Sequence, residues 1–399
     1  MRSRLDDGQR FLALCILLGI CCGTAAVLFH QAIHLSFHHL WKTASEQGGY
    51  GFWIGMALAP AIGGLAIGLI AKYVGPSLTG SGIPQTKEAY YNKDGRISIR
   101  VAFWRFIMGT IYIGSGNALG REGPTVHMAS AIASRIGRWA LRDPQRQQAM
   151  VPVGMAAGIA AAFNAPLSAI TFVFEELLDN FSMKALGGIV IAVVIADAIT
   201  RATLGEAPVL QTSLNDQFAT APWMFVALPL GLTAGLLGHY FTQSVLKVRK
   251  RSLAWNINPI WKPAIGGLCC GLLGLSAFYL TGLGGQAQNT VFSIGYASLT
   301  LAFEEKLFVS TLCLLLVFKF VAVVINYGSG GSGGLFAPTL FLGGMLGGLI
   351  GAGVIALDQW LLFDITSEKE IIGGCVLLGM GAMFGSVVRC PFTSLLIIF

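Results

Sequence analysis

The chain has 399 residues, 54% of them hydrophobic and 11% charged, with a mean hydropathy of +0.69. A soluble domain carries about 25% charged residues, so this balance excludes one. The net charge of +7 is gathered in Lys93/Arg96/Arg100/Arg105, Arg135/Arg138/Arg142/Arg146 and Lys247/Arg249/Lys250/Arg251, which read as loops flanking membrane spans and do not suggest nucleic acid binding.

Met1–Arg10 is short and charged. The apolar run after it, Phe11–Phe29, is followed by His30, His34, His38 and His39 and has no small-residue cleavage site, so it reads as a retained first helix and not a signal peptide. Further uncharged windows cover Gly51–Ala71, Phe106–Gly120, Ala149–Phe174, Ala264–Phe303, Phe320–Leu357 and Ile371–Val388. A span needs roughly 20 apolar residues. Several windows are too short or too long for one span, so tilted, re-entrant and half-length helices are expected in an all-α polytopic membrane protein. Fifty-two glycines and fourteen prolines suit close helix packing and interrupted helices. The eight cysteines form no CxxC and nearly all lie inside apolar runs, so no metal or disulfide role is expected.

Between the apolar stretches lie segments unlike ordinary spans. Thr79-Gly80-Ser81-Gly82-Ile83-Pro84 places a serine hydroxyl and helix-opening amides together, either as a simple N-cap or as an anion cradle without full charge. Gly120-Arg121-Glu122-Gly123-Pro124-Thr125 sets a guanidinium and a carboxylate at membrane depth, where charges line a pathway or pair with each other. Glu122 reads as a gate and proton acceptor, or as the partner of Arg121 or Arg105. Glu175-Glu176 closes the run after Asn164-Ala165-Pro166, as two solvated carboxylates or as a proton relay. Lys319, inside Leu314–Val324, reads as snorkelling or paired, with no transport role. Gly334-Leu335-Phe336-Ala337-Pro338 follows the glycine-rich stretch from Gly328 to Gly333 and would open a helix with the Leu335 and Phe336 amides facing an anion. That stretch also fits GxGxxG without a βαβ unit, and GxSG around Ser332 without a downstream histidine. Dinucleotide binding and an intramembrane serine hydrolase are therefore poor readings.

The frame Gly120–Thr125 recurs without its charges 214 residues on, at Gly334–Thr339. Gly154-Met155-Ala156-Ala157 recurs as Gly379-Met380-Gly381-Ala382 at a spacing of 225, and at that spacing Asn164-Ala165-Pro166 corresponds to Arg389-Cys390-Pro391. The difference in spacing implies an insertion around Asp358–Glu370. The expected organisation is one transmembrane ion-transport domain, 1–399, made of two halves, approximately 1–215 and 216–399. By this comparison Phe399 falls in mid-helix, so the second half is read as incomplete. Broken helices at corresponding positions of two halves imply an ion site at the bilayer midplane.

GSGIP at 80–84, GREGP at 120–124, AAFNAP at 161–166 and GLFAP at 334–338, in this order, resemble the CLC family of chloride channels and chloride/proton antiporters over nearly the whole chain. The resemblance implies a homodimer with one pathway per subunit and two inverted, interlocked halves. It implies that Ser81 and the amides of Leu335 and Phe336 hold the central anion, that amides around Arg121–Gly123 line an outer site, and that Glu122 is the gating glutamate. Glu176 falls where the family's antiporters keep an internal proton-transfer glutamate and its channels an apolar residue. Antiport of chloride and protons is therefore expected, with a passive chloride channel as the alternative. Ser81 fits the chloride-preferring pattern, where nitrate-preferring relatives tend to have proline. The family's central site also uses a tyrosine hydroxyl from a last membrane helix, which would follow Phe399. Chloride, protons and the bilayer are the expected partners, without cofactor, metal or enzymatic activity, in a prokaryotic inner membrane.

Overall fold

The computed structural model describes residues 7–75, 78–178, 183–205, 224–282, 290–304, 306–361 and 368–398. Fifteen helices are described: α1 Asp7–Gln47, α2 Gly49–Val74, α3 Ile83–Asn92, α4 Ile99–Gly114, α5 Glu122–Ala140, α6 Pro144–Phe163, α7 Pro166–Glu176, α8 Met183–Leu204, α9 Met224–Ala254, α10 Trp261–Thr281, α11 Tyr296–Phe303, α12 Val309–Gly328, α13 Phe336–Leu361, α14 Glu368–Val388 and α15 Pro391–Leu396. Among the described residues, seven helices are long and apolar enough to cross a membrane. Leu35, Ile62, Leu228 and Leu232 are each more than 60% exposed. That would be costly in water and is ordinary against lipid tails.

The short helices are the informative ones. α3 has 10 residues, α7 has 11, α11 has 8 and α15 has 6. At 1.5 Å per residue, ten residues cover about 15 Å, half of a hydrocarbon core of about 30 Å. Pro166 and Pro391 open α7 and α15, and Pro84 lies in the first turn of α3, where a missing amide hydrogen costs nothing.

Two parts of the molecule mirror each other locally. Gly116 and Gly330, 214 residues apart, take φ of 100° and 104°. The Ser115 hydroxyl donates to the Tyr112 carbonyl at 2.9 Å, and Ser329 donates to Asn326 at 3.0 Å. At a spacing of 225, Asn164 and Arg389 take φ of 56° and 65° before their prolines. The middle of the inferred insertion around Asp358–Glu370, residues 362–367, lies outside the described residues, as does Phe399.

α2 and α10 cross through a repeat of their own. Pro60-Ala61-Ile62-Gly63-Gly64 recurs as Pro263-Ala264-Ile265-Gly266-Gly267. A Cβ on Gly64 would strike the Pro263 carbonyl, and one on Gly267 would strike the Pro60 carbonyl. The contact is reciprocal and backbone to backbone, so only glycine fits on either side. Asn117 extends the tie by donating its side-chain amide to the Pro60 carbonyl at 2.9 Å.

Candidate ion pathway

Four helices begin around one central region: α3, α5, α11 and α13. The loop before α3 turns on Gly80 and Gly82, with φ of 79° and 91°. The Gly80 amide donates to the Gly331 carbonyl at 2.8 Å. Gly120 and Gly334 form an isolated antiparallel bridge, with amide-to-carbonyl distances of 2.9 and 2.6 Å. A Cβ on Gly123 would lie 2.8 Å from the Ser81 carbonyl oxygen and 3.2 Å from the Gly334 Cα. The three motifs, distant in sequence, are thus one hydrogen-bonded unit. Ser81 packs on the first turn of α5, beside the start of α13.

Helix-opening amides have no intrahelical acceptor and carry the positive end of the helix dipole. Those of Leu335 and Phe336 are at that position on α13. Phe336 is fixed by aromatic contacts to Phe163, Phe172 and Phe384, with ring centroids 6.1, 5.3 and 5.0 Å away.

Charge in the interior is uneven. Arg105, Arg121 and Lys319 are buried, as are Glu122 and Asp197. Asp197 is neutralised by Arg201 at 2.7 Å. Arg121 donates to the Ala162 carbonyl at 3.0 Å, and Arg105 to the carbonyls of Gly80 and Thr79. Lys319 donates to the carbonyls of Val291 and Ser293, both at 2.8 Å, and lies 5.0 Å from the Phe341 ring centroid. Of the two readings of Lys319, snorkelling or paired, snorkelling does not occur, because its ammonium is wholly buried and held by carbonyls. These buried cations give the region a positive field, which favours an anion and disfavours a metal cation.

Glu122 is fully buried at the first position of α5, where a negative side chain meets the positive helix end. Its Oε1 accepts from the Tyr296 hydroxyl at 2.8 Å, and its Oε2 has no hydrogen-bond partner among the described residues.

The two neighbouring glutamates separate into different tasks. Glu175 accepts from the amides of Phe392 and Thr393 at 3.0 and 2.8 Å and from the Thr393 hydroxyl at 2.6 Å, so it caps the start of α15. Glu176 faces Lys87 at 3.2 Å, its side chain 20% exposed. Replacing Glu175 with alanine removes an N-terminal cap and is expected to cost about 0.5–2 kcal/mol of stability. A thermal-unfolding series in detergent checks this, with Glu176→Ala as the smaller control.

Sequence reasoning missed Tyr296, the carbonyl-binding role of Arg105 and Lys319, the Lys87 partner of Glu176, and the α2–α10 repeat. A signal existed for two of them. Arg105 and Lys319 stand 214 residues apart, the spacing of the two motif frames, and Pro-Ala-Ile-Gly-Gly occurs twice.

Broken helices meeting around a buried, positively biased core define a polytopic membrane protein with an internal anion pathway. The pattern of the voltage gated chloride channel family matches residues 63–399, and the chain belongs to that family. It is 31% identical to the H(+)/Cl(-) exchange transporter ClcA of Vibrio vulnificus strain YJ016, over 97% of this chain and 81% of that protein. It is 29% identical to the putative chloride channel protein ClcB-like of Ralstonia nicotianae, over 97% and 88%. Among solved structures it resembles a slow cyanobacterial Cl-/H+ antiporter, with a TM-score of 0.85 and 24% identity over 98% of this chain and 88% of that one. A CLC-type fluoride/proton antiporter follows at a TM-score of 0.76 and 22% identity, over 97% and 89%.

Proposed function

We propose that this protein exchanges chloride for protons across the membrane, with Glu122 as gate and proton acceptor. The observation that carries the reading is a fully buried carboxylate at a helix start, one oxygen unpartnered, in a core with surplus positive charge. A charged Glu122 occupies the place an anion would take. Protonation removes its charge and its hold on that place, which lets chloride in. One group thereby couples the two ions. Ser81 and the amides of Leu335 and Phe336 would hold the central anion, and amides around Arg121–Gly123 an outer one. Glu176 would hand protons to the other route, with Lys87 beside it at 3.2 Å. The exchange named for the Vibrio relative and for the cyanobacterial structure supports antiport over passive conduction.

One membrane domain of two halves, divided near residue 215, accounts for the mirrored backbone angles. A homodimer in a prokaryotic inner membrane completes the reading.

Proteoliposomes holding a chloride gradient, with voltage controlled and external pH recorded, test it. Uphill proton movement is the expected result. Chloride flux without protons would make the protein a channel, and neither flux would sink the anion assignment. In the same assay Glu176→Gln should reduce proton movement far more than chloride movement. Equal losses would remove Glu176 from the proton route.

A further inference from the structure

Beside the gate lies a cavity of about 250 Å³, lined by His30, His34 and His38 of α1 and by the residues that open α11, Tyr296 among them. Successive histidine rings are 6.3 and 6.1 Å apart, so they form one row along the helix. Tyr296 belongs to both surroundings: it lines the cavity, and its hydroxyl donates to Glu122. The position is well fixed. Gly295, with φ of 90°, turns the chain into α11, and Lys319 grips the carbonyls of Val291 and Ser293 just before it.

We propose that Tyr296 is a latch on the gate. Its hydroxyl ties the charged Glu122 in place, and transport requires that bond to break, with the histidine-lined cavity as the space beside it. Tyr296 is a positioning residue acting through Glu122, so the proposal rests on the antiport reading. The physical reason is directional. A phenol donating to a carboxylate favours the charged form, and a protonated Glu122 no longer rewards the donor to the same degree. The latch therefore holds while the gate is charged and lets go once it is protonated. The charged and titratable groups beside this pair are Arg121, adjacent in sequence and within electrostatic reach of both Glu122 and Tyr296, His30 of α1, within reach of Arg121, and His34 and His38, which line the cavity with Tyr296. All four stay in place in the variants below.

The test is the pH profile of chloride flux in proteoliposomes. Tyr296→Phe keeps the ring and loses the donor, so Glu122 captures its proton more easily. The midpoint of the profile is expected to move to higher pH by about one to two units, since hydrogen bonds to charged groups are of that strength. On the alkaline flank flux rises about tenfold for each unit of that shift. Difluorotyrosine at position 296, a stronger donor of nearly the same shape, should move the midpoint to lower pH, and it tests the latch even if Tyr296→Phe does not fold. In a Glu122→Ala background Tyr296→Phe should change nothing, because the group it acts on is gone. A Tyr296→Phe profile superimposed on wild type would overturn the latch, as would an equal shift in the Glu122→Ala background. Glu122→Gln separates the two ideas: if it uncouples while Tyr296→Phe behaves as wild type, the latch alone falls. If it stays coupled, the role given to Glu122 falls and takes the latch with it.

Discussion

Glu122→Gln is expected to bring proton movement down to the leak of protein-free vesicles while chloride continues to flow. The argument begins with burial. Glu122 is the fully buried carboxylate of the region, and Arg121 and Lys319 spend their hydrogen bonds on carbonyls. Glutamine keeps nearly the same shape and can still accept from Tyr296. It carries neither a charge nor an exchangeable acid proton, so the coupling step has no group to act on. The surplus positive charge remains, and a chloride ion from solution is the natural replacement for the lost carboxylate. A second consequence follows from that replacement. An anion that binds the folded state stabilises it by RT ln(1 + [L]/Kd). Thermal stability of the variant should therefore rise more steeply with chloride than that of wild type. Titrating chloride in an unfolding assay reads this without any transport measurement. A variant that still drives protons uphill, or whose stability ignores chloride, would contradict the role given to Glu122.

Lys319→Met should be among the most damaging single changes in the molecule. Methionine has a similar length and fills the space, so the effect isolates the ammonium. Without it the carbonyls of Val291 and Ser293 lose a buried donor. Each unsatisfied buried polar group costs about 1–3 kcal/mol, and the two together reach about 2–6 kcal/mol. Stability is marginal, at about 5–15 kcal/mol for an ordinary domain, so much of the protein should fail to reach the membrane folded. Lys319→Arg should recover most of the yield, because a guanidinium serves the equivalent carbonyls of Gly80 and Thr79 from Arg105. Size-exclusion yield of the three proteins decides it. Equal yields for lysine and methionine would show that the ammonium is dispensable to the fold.

Much of the central region was legible because charge and proline are conspicuous in apolar sequence. Gly120–Thr125 and Gly334–Thr339 stood out as one frame written twice, and the structure hydrogen-bonds them to each other. Ser81 and Glu122 drew attention for the same reason. Tyr296 did not, because Ala264–Phe303 carries no charge to mark any position within it. Its segment, Ser293-Ile294-Gly295-Tyr296, shares with Gly80-Ser81-Gly82-Ile83 only one glycine, although Gly82 and Gly295 take φ of 91° and 90°. What repeats there is a backbone conformation, which different side chains can satisfy. The pairing of Glu176 with Lys87 spans 89 residues and depends on how α3 and α7 are placed, which no local pattern records. Lys319 is visible, but its apolar neighbours hide its role. Its distance from Arg105 was the better guide.

The bridge between Gly120 and Gly334 also limits how the protein can move. Many transporters expose a site to either side by rocking one rigid half against the other. Here such a swing would have to tear two amide–carbonyl bonds at the centre and drive carbonyls into glycines where α2 meets α10. Those joints resemble a weld more than a hinge. The access change therefore falls to parts small enough to turn within a fixed frame, a carboxyl group and a phenol ring, and the overall outline should be nearly the same whichever side the ion can reach.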